Sequence, residues 1–433
     1  MKIAIIGSGG REHALGWKLA GEEATNEITF LPGNGGTAEI GTNVEIGATD
    51  VKALTDFAVR ARPDLIIVGP EDPLALGLVD RLADHGLTVF GPTQACAKIE
   101  TSKIFAKQLM SKFGVPTAPY KVFTSEARAH AWIERATKQL VVKADGLAKG
   151  KGAIVTKERA DAHRAVEMML AEKVFGPAGE AILIEERLTG EEVSVLAITD
   201  GHRYALLPPS QDHKPIFDKD RGPNTGGMGA YCPAPLVDRD TLGRIEDVII
   251  KRFLKGLAKQ GLAYRGVLYA GLMLNEDGVY VIEFNARFGD PETQSILPAI
   301  DADLGGLLAD AAAGNLKKTQ RIKPSRWAVC AIAASGGYPD AYETGKVITG
   351  IAEAARPGEV IVFHAGTKRL PDGRLVTSGG RVLGITGVGT TLRQARRRAY
   401  EASHIVRFAG MHTRTDIGLK GLRRLHKAGV IQS

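Results

Sequence analysis

The chain has 433 residues, 44% of them apolar and 24% charged, with a formal net charge of +7. That composition excludes wholesale disorder, no apolar run reaches the roughly 20 residues of a membrane span, and the length predicts about three domains. Three cysteines, Cys96, Cys232 and Cys330, are too few and too scattered for a disulfide framework or a metal-ligand spacing; they predict buried thiols in a reducing compartment.

The chain opens on an apolar run, residues 3–6, that passes straight into Gly7-Ser8-Gly9-Gly10-Arg11-Glu12. This reads as a strand and a glycine turn, not a signal peptide, and predicts a cytoplasmic protein. Strands at 28–31, 65–68 and 88–90 follow, alternating with helices at 15–20, 51–60 and 75–85. The alternation predicts an open parallel sheet over residues 1–98, with its glycine and proline turns gathered at the strands' carboxyl ends. The turn at 7–12 suits an anion, and a phosphate or sugar phosphate is expected there. A dinucleotide-binding turn requires a third glycine where Glu12 stands, and an acidic end to the second strand where Leu31-Pro32-Gly33-Asn34 stands.

A helix is predicted over 101–113, ended by Gly114 with Pro116 beyond. Strands at 141–144, 153–156 and 182–186 surround a helix at 162–170. Between the first two lies Lys143-Ala144-Asp145-Gly146-Leu147-Ala148-Lys149-Gly150-Lys151-Gly152. Its spacing is not that of a P-loop; it reads as a glycine hairpin whose lysines and amides can fold over a triphosphate. The polar, glycine-rich stretch from Ser210 to Tyr231 is too chemically loaded for a mere connector. Asp212 there could meet an amine and Lys214 an anion, while His213 lacks the partners of a metal site.

A hairpin follows, strands 267–274 and 279–284 around Asn275-Glu276-Asp277-Gly278, leading into Glu283-Phe284-Asn285-Ala286-Arg287. Glu283 and Asn285 share one face of the strand end, and two oxygen donors of that kind suit Mg²⁺. Arg287 continues the alternation as a fixed cation for phosphoryl oxygens. Beyond about 326, strands at 328–333, 360–364 and 381–386 precede a final helical segment. Residues 391–433 carry ten basic against two acidic side chains, the preceding 390 carry 46 against 47. With no nucleic-acid-binding signature and only 6% aromatic residues, the basic stretch is read as a charged helix face, not a nucleic-acid site.

The succession Ser102-Lys103, Lys143 with its hairpin, Glu185-Glu186-Arg187-Leu188, Gly190-Glu191-Glu192 and Glu283-x-Asn285-x-Arg287 resembles the ATP-grasp superfamily. The runs GPNTGGMGAY at 222–231, EFNARFGDPET at 283–293 and TSGGRVL at 377–383 narrow the resemblance to the phosphoribosylamine–glycine ligase family, along essentially the whole chain. The resemblance implies an α/β chain in four parts. These are a Rossmann-like N-terminal domain (1–98), a central ATP-grasp domain (99–122 and 191–325), a small lid (123–190) and a mixed α/β C-terminal domain (326–433). It implies an ADP-forming carbon–nitrogen ligase of purine biosynthesis, acting through a glycyl phosphate.

Carried over by position, Lys103, Lys143, Gly150, Lys151 and Gly152 would contact ATP phosphates. Glu185, Glu186 and Leu188 would line the adenine, and Glu192 would hold the ribose. Glu283 and Asn285 would hold Mg²⁺ or Mn²⁺. Arg287 and Asp212 would be catalytic. Gly9, Gly10, Arg11, Glu12, Gly33, Asn34, Gly36, Thr37, Pro70, Glu71, Lys214, Asn224, Asp290 and Glu292, with Asp212, would bind phosphoribosylamine and glycine. Lys149 stands where the family usually has a small residue, and Arg187 where an aromatic residue is usual beside the adenine. The partners implied are these small molecules only, with neither nucleic acid nor membrane, and a monomer is expected, a dimer being the alternative. A ligase with another acceptor and a nicotinamide-dependent oxidoreductase are the rival readings. The first sits badly with the loop at 222–231, the second with Glu12 and the whole of 140–293.

Overall fold

Lys2–Gly7 is the middle strand of a five-stranded parallel sheet, ordered Thr42–Asn43, Glu27–Pro32, Lys2–Gly7, Leu65–Val68, Val89–Phe90. Its apolar run is continuous because helices cover both faces of such a sheet. The structure, a computed structural model, describes residues 1–22, 26–147 and 152–430. The helix expected over 75–85 is two helices, Glu71–Ala75 and Leu78–Asp84, because Gly77 takes φ +76° between them. The one expected over 101–113 starts at Lys103, capped by Ser102, and a separate helix, Gln94–Thr101, precedes it.

A four-stranded antiparallel sheet, ordered Tyr120–Phe123, Ile182–Glu186, Leu140–Ala144, Ala153–Val155, comes next. It packs its own small core against the helices Glu126–Ile133 and Arg159–Val166; the latter passes into a π-helical turn at Glu167–Ala171. The central sheet is ordered Gly278–Asn285, Gly266–Asn275, Glu191–Thr199, Tyr204–Leu206, Gln320–Arg321. Asn275 closes its hairpin by accepting the N–H groups of Asp277 and Gly278. A register shift opposite Gly271 and Leu272 bends the second strand just before Glu283, and such bulges re-aim the side chains that follow.

The last sheet joins distant sequence: Gln211–Asp212, Gly229–Cys232, Trp327–Ala334, Arg381–Gly389 and Val360–His364, all antiparallel. The stretch around 210–232 therefore pairs with the C-terminal strands. Helix Leu392–Ser403 packs on this sheet, and the final helical segment includes a further helix, Leu419–Lys427. All three cysteines are free and buried. Among the described residues no helix is long and apolar enough to cross a membrane.

Candidate active site

A cleft of about 1300 Å³ opens where the four larger sheets meet. Strand Gly278–Asn285 delivers Glu283 and Asn285 to its wall, and Arg287 follows just beyond the strand end. Among the described residues the Asn285 amide makes no hydrogen bond, and the Glu283 carboxylate pairs with the Lys214 ammonium alone, at 3.8 Å. Burial pushes the Glu283 carboxyl up, but Lys214, Lys143, Lys103 and Arg287 together outweigh it and hold it low. Two uncommitted oxygen donors on one strand face remain, ready for a hard cation.

Opposite stand three lysines, Lys107 and Lys143 buried and Lys103 half-buried. Lys143 Nζ and Lys107 Nζ grip the two oxygens of Glu185, each at 2.5 Å. Lys103 Nζ donates to the Gly146 carbonyl at 2.7 Å. Burial lowers the Lys103 and Lys107 ammonium groups, the latter to about 8. Concentrated, partly desolvated positive charge of this kind waits for an anion.

Asp212 and Lys214 alternate onto the cleft side of their segment. Lys214 Nζ bonds Glu192 at 3.1 Å, while the Asp212 carboxylate accepts no hydrogen bond among the described residues. Burial pushes Asp212 up to about 7; Lys214 pulls against that, and Glu292, Glu192 and Glu283 add to the rise. Glu292 is held by Tyr269 OH at 2.5 Å and Ser194 Oγ at 3.1 Å.

The glycine turn differs from an open anion site. Glu12 occupies the hollow it forms: its Oε2 accepts Gly9 N–H at 2.6 Å and its Oε1 meets Arg11 Nε at 2.5 Å. A Cβ on Gly69 would lie 2.1 Å from that carboxylate, so only glycine leaves room for it. The protein's own anion thus takes the amide that a phosphate would use. Arg11 also reaches Phe288 O at 3.0 Å, and Arg381 bonds Asp290 at both carboxylate (3.2 Å) and carbonyl (2.8 Å).

The cleft gathers Gly9, Arg11, Glu12, Pro70, Glu71, Lys103, Lys143, Gly152, Glu185, Leu188, Glu192, Asp212, Lys214, Asn224, Glu283, Asn285, Arg287, Asp290 and Glu292. Gly10, Gly33, Asn34, Gly36, Thr37 and Glu186 stand behind that lining. Asn34 spends its amide on Ser8 O, His364 O and the N–H groups of Gly36 and Thr37, so it shapes a loop. Glu186 pairs outward with Lys138 at 2.7 Å. Gly150 and Lys151 lie outside the described residues. Among the cleft residues given no role by the sequence reading are Glu100, Lys107 and Tyr269, and Arg381 was noted only as part of the run at 377–383. Lys107 had a signal, one helical turn after Lys103. The others face the cleft through contacts that no local spacing announces.

Three family models match the chain in succession. Phosphoribosylglycinamide synthetase, N domain, matches residues 1–100, its ATP-grasp (A) domain 101–293 and its C domain 328–420. The curated phosphoribosylamine–glycine ligase of Rhodopirellula baltica is 46% identical, over 98% of this chain and 99% of its own. That of Allochromatium vinosum is 48% identical, over 98% and 99%. The crystal structure of phosphoribosylamine–glycine ligase from Thermotoga maritima superposes with a TM-score of 0.84 at 36% identity, covering 96% of this chain and all 100% of that one.

Proposed function

The chain belongs to the phosphoribosylglycinamide synthetase family, and on that footing we propose that it joins glycine to 5-phosphoribosylamine, converting ATP to ADP and phosphate and releasing glycinamide ribonucleotide. The observation that carries the reading is the strand end Glu283–Asn285–Arg287 facing Lys103 and Lys143 across one cleft. A carboxylate is a poor electrophile, so the chemistry needs a phosphoryl group transferred to glycine before the amine attacks.

Glu283 and Asn285 would hold Mg²⁺ or Mn²⁺, and their uncommitted oxygens fit a small hard cation. When bound, the metal neutralises phosphate charge. Lys103 and Lys143, with the 148–152 stretch, would draw in the triphosphate. Glu185, the backbone at Glu186 and Leu188 would border the base, and Glu192 the ribose. A glycine carboxylate oxygen then attacks the terminal phosphorus as the bond to ADP breaks. Arg287 stabilises the charge that spreads over the equatorial oxygens.

In the second half the phosphoribosylamine nitrogen attacks the acyl carbon, phosphate leaves, and the nitrogen gives up a proton. Asp212, whose proton affinity lies near neutrality and whose oxygens accept no hydrogen bond among the described residues, is the group suited to take it. Gly9, Arg11, Glu12, Pro70, Glu71, Asp290 and Glu292 would bound the phosphoribosylamine, with Lys214 and Asn224 on the glycine side. Gly10, Gly33, Asn34, Gly36 and Thr37 would shape that wall from behind.

The test is ADP release with Mg·ATP while glycine and freshly made phosphoribosylamine are varied. Release needing both substrates, with glycinamide ribonucleotide formed in step, is expected. Release indifferent to phosphoribosylamine sends the reading to another acceptor. Glu283→Gln is expected to lower kcat on the order of 100-fold and to raise the metal concentration needed for half-maximal rate. An unchanged metal requirement removes Glu283 from the metal site.

A further inference from the structure

Arg287 is held by three groups from three parts of the chain. Its Nε donates to Glu71 Oε2 at 3.1 Å, its second terminal nitrogen pairs with Glu100 Oε1 at 2.8 Å, and the first donates to Phe288 O at 3.2 Å. Glu71 belongs to the helix that follows strand Leu65–Val68; Glu100 lies one residue from the end of helix Gln94–Thr101. The other Glu100 oxygen, Oε2, accepts the Ala286 N–H at 2.6 Å. One buried carboxylate therefore fixes both the backbone just before Arg287 and the guanidinium itself.

Both Glu100 oxygens are engaged by the protein's own groups and the side chain is 6% exposed, so although Glu100 borders the cleft its carboxylate is spent on Arg287 and the Ala286 N–H. An arginine on a flexible stem loses transition-state stabilisation unless its plane is set in advance. We propose that Glu100 is a positioning residue: it orients the Arg287 guanidinium toward the transferring phosphoryl group without touching substrate. The inference rests on the ligase reading above and adds to it a residue that no motif marks.

Glu100→Gln is the discriminating change. A glutamine keeps the length and can still accept from Ala286 N–H through its amide oxygen. Its NH₂ group then faces the guanidinium, donor against donor. In the ligase assay with Mg·ATP, glycine and phosphoribosylamine, kcat is expected to fall about 10- to 100-fold, while KM for ATP moves less than about threefold. The same change is then made in the Arg287→Lys background. There the guanidinium is already gone, and Glu100→Gln is expected to cost less than about threefold more.

An equal loss in both backgrounds overturns the inference, since Glu100 would then act through Ala286 or the metal side. A KM effect without a kcat effect overturns it too. If the glutamine variant does not fold, Glu100→Asp, too short to reach both partners, takes its place in the same cycle with the same expectations. A wild-type chain that releases no ADP with both substrates overturns the ligase reading, and the inference with it; an active wild type with additive losses overturns the inference alone.

Discussion

Asp212 and His213 are neighbours with opposite fates. All four residues from Gln211 to Lys214 border the cleft, but alternation sets Asp212 and Lys214 on one face and Gln211 and His213 on the other, beside Tyr231, whose OH donates to Gln211. The His213 ring packs beside Tyr231 with neither nitrogen bonded to a described residue, and burial drops it to about 3, with Lys420 and Arg414 adding to the fall and Asp220 and Asp416 opposing it. A ring held neutral in that way is not a proton carrier at pH 7, whereas Asp212, near 7, exchanges protons there. If Asp212 takes the amine proton, its ionised form is the active one. For the free enzyme kcat/KM should then rise with pH through about 7 and level off. Asp212→Asn should lose about 100-fold in kcat and show no inflection near 7. A pH–rate profile from 5.5 to 8.5 on both proteins checks this, and an unaltered inflection in the variant assigns it to another group.

Helix Gly10–Glu22 carries Arg11 and Glu12 into the cleft, and it lies close to strand Glu27–Pro32 because Gly16 has no side chain. A Cβ there would sit 2.2 Å from Phe30 Cζ, inside a fully buried ring. Gly16→Ala gains helix propensity but forces ring and helix apart, a net cost of about 1–3 kcal/mol read as a lower urea midpoint. A higher midpoint means that Phe30 can move aside freely. Much of this packing was legible from residue order. The runs at 65–68, 182–186 and 360–364 became strands with those bounds because apolar residues sat between glycine, proline or polar stops. The break at Gly77 was hidden because Leu74, Leu78 and Leu82 continue a helical apolar stripe across it. In the cleft, period-two spacing exposed Glu283 and Asn285. Glu12 fills its own glycine turn through a contact three residues long, which the sequence reading took instead for an open anion site; that Asn34 turns to Ser8 and His364 depends on contacts between strands far apart in the chain.

The basic C-terminal segment, unexplained by any motif, ties the fold together. Arg414 is buried against Asp220 and Asp416, Lys420 pairs with Asp220, Arg398 with Glu359 and Arg424 with Glu191. Much of its charge is thereby spent within the chain. The same end of the molecule meets helix Gly10–Glu22 at two neighbouring imidazoles: His13 Nδ1 accepts the His364 backbone N–H at 2.8 Å, and the His364 ring meets Thr367 Oγ1 at 3.1 Å. Burial lowers His13 to about 3, the charge of His364 lowering it further against a backbone hydrogen bond that raises it. Burial, then Arg369, lowers His364 to about 4. Both rings bind protons more weakly folded than unfolded. Their contribution is full above pH 6.5 and is lost as pH falls toward 4, at about 1.4 kcal/mol per pH unit for each ring once well below 6.5. His213 adds to this slope in the same sense, and Asp212, raised on folding, offsets about one ring of it between 7 and 4. Urea denaturation should therefore show stability falling from pH 7 to 5. The double variant His13→Asn, His364→Asn should have the shallower slope, by up to about 2.8 kcal/mol per unit. Equal slopes would mean that the two rings take up protons in the folded state, and that the join between helix Gly10–Glu22 and the C-terminal sheet yields to acid without loss.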